Sequence, residues 1–227
     1  KTRNGWSLGM LDAVTGREWA KAVAGVEETE TEDEPLSNYL VGRVEKELGR
    51  RAAIGGLGTA VNRDLRAPGL RAELPAQAYV GGVDGYLFLD AKREWVINGR
   101  MAGSHLTGST DAITRLQNES QRYFGRPDAT HIELDPNATS LSGWTGNVNL
   151  NRNAGVHKVN AALWSVSPGF DSSDAGFTFA SDRAGMHAVY QWRNPKVNRF
   201  ARSRFLAVAK FYTWNFAREL QGDGFFT

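Results

Sequence analysis

The chain has 227 residues, enough to bury a sizeable core in one or two domains. Its formal net charge of +2 leaves no electrostatic footprint for nucleic acid, and the absence of cysteine excludes a disulfide framework, a thiolate metal site and a thiol nucleophile. Apolar residues make up 41%, with 25 glycines and 7 tryptophans, so small residues and large rings stand where a soluble core would normally carry leucine.

In chain order, the first apolar alternation covers 6–14. An acidic stretch follows, with EETETEDEP at 27–35, which is expected to be a solvated, mobile loop. It offers carboxylates for cations, or for lipopolysaccharide bridged through divalent ions. Runs at 36–48 and 52–63 are separated only by a turn at Gly49, and a loop rich in Arg, Pro and Gly covers 64–75. The next run, 79–89, sets Tyr79, Val83 and Leu87 against a face holding Asp84, and closes on the tight turn DAKR at 90–93. In the run 94–104, Trp95, Ile97 and Met101 oppose Asn98 and Arg100.

The longest insertion spans about 108–138. Ser109 or Thr110 can cap a short helix near 110–124 whose Ile113, Leu116, Ser120 and Tyr123/Phe124 share one side. Such a helix can plug a barrel mouth, act as a lid, contact a partner, or simply bury its stripe against the rim. HIELDP at 131–136 puts His131, Glu133 and Asp135 at alternate positions, open to a metal or acid/base reading or to plain solvation. Beyond it, 143–151 sets Trp144, Val148 and Leu150 against Asn147 and Asn149. A run at 157–167 leads into SPGFDSSDAGF at 167–177. There Asp171 and Asp174 are calcium candidates, the alternative being a hairpin loop folded onto its neighbours. The last clear runs are 184–193, with His187, Gln191 and Arg193 on its polar side, and 200–216, joined by a compact turn at 194–198.

Nine strands of about ten residues, with long and short connections alternating, predict an all-β fold. The expected form is an antiparallel up-and-down transmembrane β-barrel, or a segment of a larger one, in a single domain over 1–227. A spanning sheet must close because an edge facing hydrocarbon has no hydrogen-bond partners. The greasy faces then point at lipid and the polar faces line the lumen. The lumen-lining candidates are Arg43, Glu45, Asp84, Asn98, Arg100, Asn147, Asn149, Lys158, His187, Gln191 and Arg193. A soluble antiparallel sheet with one wet face shows the same alternation. The chain opens at Lys1 and is read as a mature or excised piece of something longer. No Gly-x-Ser-x-Gly elbow, His-Glu-x-x-His or P-loop occurs, so no catalytic residue is assigned.

GWSLGMLDAVTGRE (5–18), TAVNRDL (59–65), LQNESQRYFGRPDATHIELDPNATSLSGW (116–144) and SPGFDSSDAGF resemble a family of domains of unknown function. Its members follow a family-9-type carbohydrate-binding module in large proteins of Gram-negative bacteria. The resemblance implies an outer-membrane β-barrel that meets lipid, with no catalytic residues to carry over. The expected role is a pore, transporter or anchor for carbohydrate or other polar solutes, and no cofactor is expected beyond the calcium candidate. The alternative, from a different class, is a surface-exposed hydrolase or carbohydrate-binding β-domain with its chemistry on the long loops.

Overall fold

The computed structural model describes residues 2–24, 27–197 and 199–227, and the side chains of all of these except 22–24 and 27–28. The strands β1 (Trp6–Thr15), β4 (Leu36–Leu48), β5 (Ala52–Asp64), β6 (Gln77–Phe88), β7 (Trp95–Thr107), β8 (Ser140–Arg152), β9 (His157–Val166), β10 (Arg183–Asn194), β11 (Arg204–Trp214) and β12 (Leu220–Phe226) form one sheet. Each pairs antiparallel with the next in that order. β2 (Glu18–Ala24) and β3 (Glu27–Glu34) form a separate hairpin. The two helices are α1 (Pro68–Glu73) and α2 (Thr110–Asn118), and among the described residues no helix is long and apolar enough to cross a membrane.

The meander order puts the four longest connections at one end. The β2–β3 hairpin, the α1 loop, the α2 insertion and residues 167–182 all lie there, while 49–51, 89–94, 153–156 and the β10–β11 connection turn the chain at the other. This last runs on to Arg204 rather than closing as a compact turn at 194–198. Three expectations are corrected. The main sheet has ten strands rather than nine, and it is not closed: β1 and β12 each pair on one side only. The acidic run is strand β3 rather than a mobile loop. Its Glu32 is buried, accepts the N–H groups of Arg66 and Ala67 at 2.8 and 2.6 Å, and pairs with Arg17 at 3.0 Å. A carboxylate that satisfies two loop amides and a guanidinium pins the hairpin to the start of α1.

Residues directly opposite on paired strands share a face. The face that carries α2 is called inner below. Ile113 and Leu116 of α2 pack there with Val61, Ala78, Leu106 and Leu141, the chief buried apolar cluster, bordered by Tyr39, Phe124 and Ala138. Ser109 caps the helix, its Oγ accepting from Ala112 N–H at 3.1 Å. The helix ends at Asn118 rather than near 124, because Glu119 turns extended and Tyr123 has a φ of 37°. Phe124 then folds back onto the cluster while Tyr123 points out.

The outer face is apolar and bare. Leu8, Met10, Val83, Met101 and Leu163 are 56–76% exposed. Across four strands it carries a row of directly paired glycines, Gly42, Gly58, Gly81 and Gly103, between Met10 and Trp144. Glycine lines of this kind let a sheet bend. Among the described residues the outer face also holds an ion pair between two strands, Lys210–Asp223, on β11 and β12.

Candidate functional site

The register brings all eleven lumen-lining candidates onto the inner face. One row of directly paired residues reads Glu45, Gly55, Asp84, Arg100, Asn147, Trp164, Gly185. A parallel row reads Asn98, Asn149, Ala162, His187. Polar character therefore runs across strands, not only along them.

The inner face has two chemistries. Toward β4–β7 it is charged. Arg43 reaches from β4 over β5 to Asp84 on β6, and also meets Glu45 at 3.4 Å. Gly55 makes that reach possible, since a Cβ there would lie 2.6 Å from the Arg43 guanidinium. Arg100 stands opposite Asp84 without an ion pair to any described residue. With Asp84, Tyr86, Asn98 and Asn147 it lines a shallow recess of about 320 Å³.

Toward β8–β10 the face is neutral and amide-rich. Asn160 donates to Asn149 and Asn151 at 2.8 and 2.6 Å, and Asn151 donates to Asn149 at 2.7 Å. His187 Nε2 lies 2.6 Å from Asn160 Oδ1, and an amide oxygen only accepts, so that nitrogen carries the proton. Lys158, Gln191 and Arg193 extend the face toward the turn end. Asn160, the hub of this network, is missing from the sequence-derived set. Its signal was the alternation with Lys158, obscured because Trp164 on the same side made the run read as apolar on both faces.

SPGFDSSDAGF is the segment that folds inward at the loop end. Asp171 N–H donates to Ser104 Oγ at 3.0 Å, and the Asp171 carboxylate pairs with Arg122 at 2.6 Å, both side chains being essentially unexposed. Asp174 pairs with Arg63 of β5. Gly143 and Gly169 are required where this loop crosses β8, because a Cβ on Gly143 would overlap the Phe170 backbone and one on Gly169 the Ser142 carbonyl. Burial pushes the Asp171 carboxyl up, but the charge of Arg122 and the hydrogen bonds from Ser173 outweigh it and hold it below the usual range. Glu119, 3.7 Å from Arg122, is pushed up by burial, which exceeds the pull of that arginine. Both calcium candidates thus sit in arginine ion pairs. His131, Glu133 and Asp135 do not converge: His131 joins Asp182 at 2.9 Å, while the Asp135 backbone is bonded to Gln117. Among the described residues no three His, Asp or Glu gather in a way that would hold a metal ion.

The fold and site together define a class: an all-β protein whose large antiparallel sheet bares an apolar face and turns a polar one toward its own loops. The chain belongs to the family described as domain of unknown function (DUF5916), whose model matches residues 1–221. No curated protein and no solved structure matches it.

Proposed function

We propose that the chain is the wall, or part of the wall, of a β-barrel in the outer membrane of Gram-negative bacteria, acting as a pore, transporter or anchor for carbohydrate or other polar solutes. The observation that carries this reading is the sidedness of the sheet. Exposed Leu, Met, Val and Trp side chains cover the outer face, while Arg, Asp, Asn and His line the inner one. Exposed apolar area of this extent needs a cover, and hydrocarbon is a cover that no specific partner has to supply. The longer strands, at 10–13 residues, meet the ~9–11 that a tilted span requires. Trp6, Trp95 and Trp192 lie toward the turn end of the outer face and Trp144 and Trp214 toward the loop end, an arrangement that suits aromatic belts at two interfaces. Lys210, which shares this face with Lys46, Arg152 and Arg204 nearer the turn end, is paired with Asp223 and stands 4.6 Å from the Tyr212 ring centre. In a ring, the free edges of β1 and β12 find their partners in further strands or in each other.

The test is membrane partition followed by single-channel recording on the complete protein in planar bilayers. The expected result is a protein that stays monodisperse only in detergent and gives discrete conductance steps or solute-dependent current block. A protein that is soluble and monodisperse without detergent overturns the membrane reading. One that gives no conductance but turns over a glycan replaces the pore with the surface-hydrolase reading.

A further inference from the structure

At the loop end three separate segments enclose a cavity of about 440 Å³. They are residues 120–126 of the α2 insertion, residues 180–183 leading into β10, and Asn215 of the β11–β12 connection with Gln221 at the start of β12. Its volume lies in the range of small-molecule sites, and its walls are rich in donors.

The ion pairs at the cavity leave one arginine out. Arg122 is matched by Asp171 and Glu119, and Arg126 by Asp182 at 2.6 Å. Asp182 is also fully used, by His131 and by the N–H of Phe216. Arg183 has no carboxylate among the described residues; its guanidinium rests 5.8 Å from the centre of the Trp164 ring. Arg183 is left over as the one cavity arginine without a carboxylate among the described residues, although the three arginines and the carboxylates of Glu119, Asp171 and Asp182 balance in number. Buried donors are left over too, since Arg122 Nε and Arg126 Nε have no acceptor.

The backbone is specialised at the same place. Tyr123 and Asp182, two of the four non-glycine residues with positive φ among those described, both line the cavity. Gln221 is the extra residue where the β11–β12 register shifts, pairing Thr213 with Gly222 but Trp214 with Leu220. Bulges re-aim a side chain, and strained backbone persists where the surroundings impose it. A cavity with one arginine free of carboxylate, spare donors and a bulged amide suits a ligand with one negative charge and further oxygen acceptors.

We propose that this cavity binds a small, singly charged, hydroxyl-bearing carboxylate, with Arg183 as its anchor and Gln221 and Tyr123 as supporting contacts. The site lies among the loops, so it stands whether the sheet crosses a membrane or not.

The experiment is calorimetric titration of the complete protein with sodium glucuronate, with glucose as the uncharged counterpart and inorganic phosphate as the alternative oxyanion. Glucuronate should bind saturably, and Arg183→Gln should weaken it roughly tenfold or more, with Arg183→Lys in between. Gln221→Ala, which leaves every charge in place, should weaken it less. Circular dichroism of each variant should match the parent. The proposal is overturned by no glucuronate binding at about 10 mM, by equal binding of glucose, by binding of phosphate alone, or by an Arg183→Gln variant that folds and binds as the parent does.

Discussion

The inner face is built in two ways along its length. At the loop end it is filled: α2 covers Val61, Leu106 and Leu141, and the 167–182 segment lies over β7 and β8, locked by a buried Arg122–Asp171 pair. Toward the turn end it is open, and Asn149, Asn151, Asn160 and His187 bond one another half-exposed. The same alternating strands supply both regions, so the sheet alone makes no core. Its core is borrowed from the insertion, while the rest of the face is left polar for whatever fills it. Ion pairs therefore have different weight in the two regions: a buried charge left alone is heavily penalised, whereas a half-exposed group falls back on water.

The largest expected effect follows from that difference. Asp171→Ala leaves the Arg122 guanidinium buried without its main partner and should cost about 3–5 kcal/mol in urea unfolding of the protein. A cost near zero would mean that water reaches this pair and that the loop end is not the packed region. The pH dependence carries the matching sign. Because the folded-state value of Asp171 lies below its ordinary 3.8, the stability it supplies is present above that value and is lost as pH falls through the lower folded one. Glu119 is raised above 4.5, so its contribution has the opposite sense: present at low pH, and lost as pH rises through its folded value. Asp171→Asn should therefore flatten the acid limb of a melting-temperature profile, and Glu119→Gln should flatten the part just above 4.5. Next in size is Ile113→Ala, which removes a fully buried side chain from under the sheet and should cost about 2–4 kcal/mol by the same measurement.

Much of this architecture was legible in the sequence, for physical reasons that also mark where legibility stopped. The nine runs correspond to the first nine strands of the sheet because period 2 is imposed by one apolar and one polar face. β12 was hidden because LQGDGFF interrupts its alternation with two glycines, one of them cleared for the ring of Phe211. β3 was hidden because its charge reads as solvation, although Thr29 and Thr31 alternate with Glu28, Glu30 and Glu32 as strand residues do. What no local pattern contains is Glu32 reaching the amides of Arg66 and Ala67, 34 and 35 residues away. The same holds for SPGFDSSDAGF. Its turn chemistry was readable, but its partners Arg122, Arg63 and Ser104 come from three distant segments. The polar face was legible for a simpler reason, since a residue's side of a strand follows from counting by two.

Two smaller effects probe the open region and the bare face. Asn160→Ala removes the hub that joins Asn149, Asn151 and His187, yet water can take over their half-exposed groups, so the cost should be about 1 kcal/mol. A cost as large as that of Asp171→Ala would erase the distinction between the filled and open regions. Gly58→Ala should have the smallest effect, within about 0.5 kcal/mol, because nothing lies within 4 Å of where the new Cβ would sit. Gly55, three residues away on the inner side of the same strand, is the control, since its Cβ would push the Arg43 guanidinium off Asp84. The comparison reaches past stability. A fluid hydrocarbon cover adjusts to one methyl group, whereas a close-packed protein partner seated along Gly42, Gly58 and Gly81 does not. If Gly58→Ala leaves unfolding unchanged in detergent but destroys assembly or membrane retention of the complete protein, the outer face is an interface between proteins, and lipid is not what covers it.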